Sequence, residues 1–342
     1  MPLDELSLDA LRQVILGTTA DRPWSPPAPV PTLVVDLDAH APVGPVPAVH
    51  AGVAAVVVGV TSSGPAPDDP AADDPAVDHP AAVACDLVLR TGDPALHAVA
   101  ATVDACPLAA CSLVGLLRGA EHRSLDAGLT AESAVYSTLQ AGPEFAAWRR
   151  SRPARSRPPG GDAVTLARRG PALEVTLDRP HVRNALDTRM RDQLVDAFAL
   201  VAADDTIAEV HLRGAGAAFC AGGDLDEFGT FPDPATAHLV RLRQSVGRAI
   251  AAVGDRVTAH LHGAAIGSGI ELPAFAGIVV ADEGTTIALP EVSLGLVPGA
   301  GGTVSIPRRI GRHRTARLAL AGEHIDAATA LDWGLVDRVE HA

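Results

Sequence analysis

The chain is 342 residues long, 47% hydrophobic and acidic, with a formal net charge of −14 at pH 7. This length allows two domains with their own cores. The negative charge argues against a nucleic-acid partner, because nonspecific affinity for nucleic acid depends on basic surface. All 27 basic residues are arginine, which excludes Schiff-base catalysis by a lysine amine. No apolar run reaches the roughly 18 residues of a membrane-spanning helix, so no membrane association is expected.

The first residues and the cysteines predict a cytoplasmic protein. The N-terminus, MPLDEL, is acidic where a secretory signal needs basic residues. The four cysteines, at positions 85, 106, 111 and 220, form no C-x-x-C pair, so neither a metal site nor a disulfide framework is predicted. We therefore expect small buried thiols in a reducing compartment.

The first half, residues 1–150, has the pattern of an α/β domain. Three short apolar runs, at residues 32–36, 54–60 and 86–89, predict buried strands. Residues 65–80 are nearly all Pro, Ala and Asp, a composition typical of a solvated loop. From residue 94 to residue 150 the apolar spacing is that of helices.

The second half, residues 162–342, follows a predicted exposed linker at residues 151–161, which is rich in Pro, Gly and Arg. A hairpin is predicted first, with its turn at Gly170. A helix is predicted from Thr188, because Asp187 is a good N-cap. Further elements are predicted in chain order: a strand at 209–212, one helix at 235–253 and a strand at 257–261.

Two glycine-rich stretches follow strands of this half, and a third stretch carries a second carboxylate. They read FCAGGDL at residues 219–225, HGAAIGSGIEL at 262–272 and LPEVSLGLVPGAGG at 289–302. Backbone amides of the first two stretches can donate to one developing oxyanion, while Glu271 and Glu291 can transfer protons. Such a set suits chemistry beside a polarised thioester carbonyl. The alternative, tight turns and surface glutamates without a shared role, is disfavoured by the joint pattern.

These three motifs, in this order and spacing, strongly resemble the crotonase (enoyl-CoA hydratase/isomerase) superfamily over about residues 163–342. The resemblance implies an α/β fold, a spiral of ββα units in which sheets are wrapped by helices. It implies an acyl-CoA substrate, with coenzyme A as part of the substrate and with no separate cofactor or metal. It also implies a homo-oligomer, either a trimer or a hexamer.

The resemblance assigns roles to individual residues. The backbone N–H groups of Ala221 and Ser268 are implied to bind the thioester oxygen. Glu291 is implied to deliver a proton to Cα, and Glu271 to share the hold on the water that attacks Cβ. Substrate contacts are implied for Arg183, Ala185, Gly222, Gly223, Asp224 and Gly299. For Cys220, packing is favoured over a nucleophilic role.

The arginines between residues 308 and 317 are predicted to lie on a solvated helix face, with contact to a CoA phosphate as the alternative.

The sequence differs from the family pattern after its last shared motif. Crotonases continue past a Gly-Leu-Val motif, here residues 334–336, into helices that cover the active site and mediate trimers. Residues 94–150 resemble those helices, since GLTAE at 128–132 and EFAAWRR at 144–150 match their pattern. The first half is therefore predicted to be a degenerate crotonase fragment that packs on residues 163–342 as a cap. The alternative is an unrelated α/β domain.

The leading hypothesis for function is an enoyl-CoA hydratase, a hydro-lyase that works through an enolate held in an oxyanion hole. An enoyl-CoA double-bond isomerase, in which a glutamate moves a proton without water, remains open. A non-catalytic crotonase-fold protein, whose first half serves assembly, is the alternative from a different class. The sequence does not specify the acyl group.

Overall fold

The structure is a computed structural model that describes residues 5–16, 32–39, 45–50, 52–62, 79–152 and 161–341. The predicted loop at 65–80 and the predicted linker at 151–161 lie mostly outside these residues. Within them, no single helix is long and apolar enough to cross a membrane. Two consecutive helices, α2 (Ala95–Ala105) and α3 (Pro107–Leu117), together have the length and composition of a membrane-spanning segment, but they are bent by 114° at their junction.

The first half contains a four-stranded parallel sheet in the order β1-β2-β3-β4. Its strands are β1 (Glu5–Leu6), β2 (Thr32–Asp36), β3 (Val56–Thr61) and β4 (Leu87–Arg90). The three predicted strands are confirmed as β2, β3 and β4. Their continuous apolar runs are typical of parallel strands that are covered on both faces. Helix α1 (Leu8–Ile15) packs in the core on one face, and α2 and α3 follow β4.

Two more helices complete the first half, α4 (Leu125–Gln140) and α5 (Pro143–Ser151). Both pack on the second half of the same chain. Ser137 Oγ donates to the Pro234 carbonyl at 2.8 Å, and the Arg149 guanidinium donates to the Leu225 carbonyl at 3.1 Å. The predicted packing of helices from residues 94–150 on residues 163–342 is therefore confirmed.

The second half contains a six-stranded sheet in the order β13-β10-β8-β7-β6-β5 and a three-stranded sheet in the order β12-β11-β9. The strands are β5 (Val164–Arg169), β6 (Ala172–Leu177), β7 (Glu209–Gly214), β8 (Val257–Leu261), β9 (Ala264–Ile266), β10 (Ile278–Asp282), β11 (Thr286–Ala288), β12 (Ile325–Asp326) and β13 (Arg338–Glu340). The predicted hairpin is the antiparallel β5–β6 pair, and the remaining pairs of the six-stranded sheet are parallel.

The helices of this half are α6 (Thr188–Ala203), α7 (Pro234–Arg243), α8 (Val246–Ala251), α9 (Ser268–Glu271), α10 (Gly302–Leu320) and α11 (Ala327–Trp333). The single helix predicted at 235–253 is wrong, since it is two helices, α7 and α8. Gln244 has non-helical φ and ψ angles of −106° and 50°. The Ser245 hydroxyl accepts from the Arg248 N–H at 3.3 Å, so this serine caps a new helix.

One hydrophobic core runs through both halves. The same cluster of buried side chains includes Val58 of β3, Leu113 of α3 and Phe198 of α6. Helix α10, which is broken at Gly311, crosses between the halves. Its Arg312 donates to the Cys85 carbonyl at 2.6 Å and its Arg317 pairs with Asp93 at 2.9 Å.

The prediction of a solvated arginine face on α10 is therefore wrong for most of these arginines, although Arg308 is exposed. Besides Arg312 and Arg317, Arg309 is largely buried and pairs with Asp337 at 3.0 Å. These arginines join elements that are far apart in sequence by satisfying carboxylates and carbonyl oxygens that point toward the helix.

Candidate active site

A cavity of about 160 Å³ lies between helices of the two halves. Its lining includes both predicted glutamates, Glu271 and Glu291, together with Ser268. Tyr136 and Gln140 of α4 line it as well. Residues of the first half therefore form part of the wall around the two carboxylates.

Glu271 ends helix α9 and is buried, with 2% of its surface exposed. Its Oε2 accepts from the N–H groups of Ala300 and Gly302, both at 2.8 Å. Burial raises the pKa of Glu271 to about 7, although these two hydrogen bonds favour the charged form and oppose the rise. Near neutral pH this carboxylate is thus poised between its two protonation states.

Glu291 opens the turn after β11 and is also buried, but its surroundings differ. Its Oε2 has no hydrogen-bond partner among the described residues. Burial, together with the neighbouring charge of Glu271, raises the pKa of Glu291 well above its usual range. The surroundings of Glu291 thus favour the neutral form more strongly than those of Glu271, because only Glu271 accepts hydrogen bonds that favour its charge.

A third glutamate, Glu132 of α4, approaches from the first half. Its Oε1 accepts from the Gly301 N–H at 2.7 Å, and its Oε2 accepts from the Thr303 N–H at 2.9 Å. Burial and the charge of Glu271 raise the pKa of Glu132 to about 8. Glu132 and Glu271 together satisfy four N–H groups at the start of α10, where a helix has no acceptors of its own.

The glycines of the third motif make these approaches possible. A Cβ atom on Gly302 would lie 2.8 Å from Glu271 Oε2, and one on Gly299 would lie 2.5 Å from the Tyr136 ring. Gly301 has a φ of 108°, which side-chain-bearing residues rarely adopt. The motif therefore needs glycine because two carboxylates and a ring contact its backbone.

The prediction that Ala221 donates to the oxyanion is wrong, because the Ala221 N–H already donates to the Arg183 carbonyl at 2.9 Å. Ala221 also does not line the cavity. Gly223 does line it, and its N–H has no acceptor in the described parts of the chain. Ser268, the other predicted donor, also lines the cavity, and its N–H likewise lacks an acceptor there. Gly223 and Ser268 are thus the better pair of candidates.

The loop that carries Gly223 is held from behind by a buried arginine. Arg179 pairs with Asp224 at 3.1 Å and with Asp187 at 3.2 Å. Asn184 is fully buried, and its side-chain amide donates to the carbonyls of Ala215, Ala218 and Phe219. These bonds fix the first motif relative to the segment at 179–187.

The predicted substrate contacts divide into two groups. Gly223, Asp224 and Gly299 line the cavity, whereas Arg183, Ala185 and Gly222 do not. Arg183 is exposed, so a contact with the outer part of a ligand stays a prediction. Burial raises the pKa of the Cys220 thiol to about 11, which fits the predicted packing role and not a nucleophile.

Sequence reasoning missed three residues of the site: Glu132, Tyr136 and Arg179. For Arg179 the sequence offers a partial signal, because this arginine lies four residues before Arg183, which the resemblance already marks as a substrate contact. The GLTAE pattern contains Glu132, but a pattern does not reveal which backbone a carboxylate contacts 169 residues further along the chain.

The comparison with known families agrees with this geometry. Residues 169–341, about half of the chain, match the family model described as enoyl-CoA hydratase/isomerase. The chain belongs to this family. The second half thus has the predicted crotonase fold, and the first half adds an α/β region with a parallel sheet. Family members act on acyl-CoA substrates.

Individual relatives differ in their reactions. A 2,3-dehydroadipyl-CoA hydratase of Escherichia coli (strain K12) is 36% identical over 176 residues, which cover 52% of this chain and 68% of that protein. A 1,2-epoxyphenylacetyl-CoA isomerase of the same strain is 35% identical over 172 residues, or 49% of this chain and 65% of the relative. Because the two identities are nearly equal, similarity to this family does not select the reaction.

A crystal structure of an enoyl-CoA hydratase/carnithine racemase from Magnetospirillum magneticum is also similar. It is 31% identical, covers 53% of this chain and 69% of its own, and has a TM-score of 0.50.

Proposed function

We propose that this protein is an enoyl-CoA hydratase. The observation that carries the proposal is the pair of buried carboxylates on one cavity, of which Glu271 is bonded to two N–H groups while Glu291 Oε2 is unbonded among the described residues. Two carboxyl groups with different pKa values can divide the roles of base and acid.

In the proposed reaction, the thioester oxygen of a 2-enoyl-CoA accepts from the N–H groups of Gly223 and Ser268. Water attacks Cβ, and its proton passes to the Glu271 carboxylate. The electron pair of the double bond moves through Cα to the thioester oxygen, which becomes an enolate. The enolate collapses as Glu291 gives its proton to Cα. Glu271 is then protonated and Glu291 ionised, and proton exchange restores the pair.

Preorganised backbone donors are the part of this proposal with the largest expected effect. They stabilise the enolate without reorganisation, and losing one such donor typically costs about 100-fold or more in rate. Gly223 and Ser268 are suited to this role because their N–H groups have no acceptor among the described residues, whereas the adjacent N–H groups of Asp224 and Gly267 donate to the Leu186 and Ala288 carbonyls.

We also propose that the first half acts as the cap of the active site. Tyr136 and Gln140 line the cavity, and Glu132 bonds the same helix terminus as Glu271. This arrangement supports the predicted division into a cap at 1–150, a linker at 151–161 and a catalytic part at 162–342. We further propose that the protein is a homo-oligomer. Sedimentation velocity distinguishes a monomer from a trimer or a hexamer.

Assays with a 2-enoyl-CoA and a 3-enoyl-CoA test the reaction type. Hydration removes the conjugated absorbance of the 2-enoyl thioester, whereas isomerisation of the 3-enoyl thioester creates it. We expect loss of absorbance with the first substrate. Turnover of the 3-enoyl substrate alone would favour the isomerase, and no turnover or binding of either would favour the non-catalytic alternative.

A further inference from the structure

Arg241 of α7 is a cation on the wall of the cavity that the proposed chemistry does not use. It lines the cavity of about 160 Å³ and also an adjacent cavity of about 80 Å³ that contains Leu242 and Gly247 in its lining. The guanidinium carbon lies 4.7 Å from the centre of the Tyr136 ring. Arg241 is thus shared by the lining of the cavity beside the two glutamates and that of a second cavity.

The hydrogen bonds of Arg241 go to neutral acceptors. Its guanidinium donates to the Oγ and carbonyl oxygens of Ser133 at 3.2 and 3.4 Å, to Gln140 Oε1 at 3.4 Å and to Ser137 Oγ. Within the described residues, no carboxylate forms an ion pair with it. The oxygens of Glu132 are bonded instead to N–H groups at the start of α10. By contrast, the other arginine of this wall, Arg191, pairs with Asp192 at 2.7 Å.

A guanidinium on the wall of a partly closed cavity is costly to desolvate without a counter-charge. Its planar fork of N–H donors matches a carboxylate, and Arg241 and Gln140, which are joined by a long contact of 3.4 Å, both line the cavity. The rigid surroundings favour such a site, because the Tyr136 ring and two serine hydroxyls already fix the guanidinium plane.

We propose that Arg241 binds a carboxylate at the far end of the acyl chain, so that the substrates are CoA monothioesters of unsaturated dicarboxylic acids. This inference rests on the proposed function and adds a substrate class to it. The competing interpretation is that Arg241 only ties α7 to α4 through the two serines.

Matched substrates separate these interpretations. The test uses 2-enoyl-CoAs with acyl chains of four to eight carbons that end either in a carboxylate or in the isosteric carboxamide. For the wild type we expect kcat/KM at the best chain length to be about 30-fold or more higher for the carboxylate, the size expected for a desolvated charge pair. The chain length with the largest preference reports the distance from Cβ to Arg241.

Variants complete the test. Arg241→Gln should abolish the preference while changing turnover of the carboxamide by less than about threefold, and Arg241→Lys should keep part of it. Ser137→Ala is the matched control, because it removes one bond that fixes the guanidinium but leaves its charge, so the preference should fall without being abolished. Equal kcat/KM for both chain ends at every length in the wild type would overturn the inference. So would an equal loss for both substrates in Arg241→Gln.

If no enoyl-CoA of either kind is turned over, the proposed function fails and the inference is still decided by binding. The probes are then the saturated CoA thioesters with the same two chain ends, titrated by calorimetry into the wild type and Arg241→Gln. Tighter binding of the carboxylate, lost in the variant, supports the site; equal affinities refute it.

Discussion

Replacing Glu291 by glutamine should make the protein more stable and inactive at the same time. The folded chain holds the Glu291 proton because burial and the Glu271 charge raise its pKa well above 4.5. The unfolded chain releases this proton above its ordinary pKa. The wild type therefore loses free energy of unfolding as the pH rises above about 4.5, until the pH passes the folded pKa. Glutamine stays neutral in both states and is free of this loss.

The expected size follows from the pH interval. Each pH unit over which Glu291 is protonated when folded and ionised when unfolded costs about 1.4 kcal/mol. The advantage of glutamine should therefore grow with this slope and level off where the pH passes the folded pKa of Glu291. Near pH 4.5 the difference should vanish, apart from a small change in packing.

Urea unfolding of the wild type and Glu291→Gln at pH 5, 6 and 7.5 measures this difference. Glu340→Gln is the matched control, because this glutamate is exposed on β13. The advantage of Glu291→Gln should grow with pH, whereas that of the control should stay flat. Hydration and exchange of the Cα proton should both fall by at least about 100-fold, with CoA affinity nearly unchanged. A stability difference that does not depend on pH would refute the assignment of Glu291 as the protonated carboxyl.

Three further predictions concern the other carboxylate, the third motif and the cap. Glu271→Gln should lower hydration more than Cα proton exchange, and the wild-type kcat/KM should rise with pH through about 7 as Glu271 ionises; equal losses in both assays would contradict this. Gly302→Ala should lower kcat at least about tenfold in steady-state kinetics, because the new Cβ would displace the Glu271 carboxylate. Gly284→Ala is the control and should leave kcat unchanged, because a Cβ at residue 284 would have no atom within 4 Å. A fragment of residues 161–342 should aggregate or be inactive, because the hydrophobic core that it shares with the first half is then exposed. Adding residues 1–150 in trans should partly restore activity. A soluble, fully active fragment would disprove the proposal that the first half caps the active site.

Local patterns were sufficient for the features that depend on local physics. Continuous apolar runs predicted β2, β3 and β4, and the N-cap at Asp187 predicted the start of α6, where its side chain accepts from the Met190 N–H. Glu271 and Glu291 could be predicted because motif spacing brings them to one cavity. These features follow from side-chain period and turn chemistry within a few residues.

Local sequence patterns could not predict the features that depend on partners far away in the sequence. The choice between Ala221 and Gly223 depends on which N–H meets the segment that contains Arg183, and a one- or two-residue change of register reverses the answer. The arginines of α10 have the sequence of a solvated face, yet Arg312 satisfies a carbonyl of residue 85. Arg241 could not be singled out because its neutral partners come from α4, about a hundred residues earlier.

Isotope incorporation tests the two-carboxylate mechanism most directly. The wild type is incubated with a 2-enoyl-CoA in deuterated water enriched in oxygen-18, and the product is analysed by mass spectrometry and NMR. The account predicts one labelled oxygen at Cβ and one deuterium at Cα for each turnover, with both lost in Glu291→Gln. A product with deuterium but no labelled oxygen, or near wild-type incorporation in both Glu271→Gln and Glu291→Gln, would contradict it.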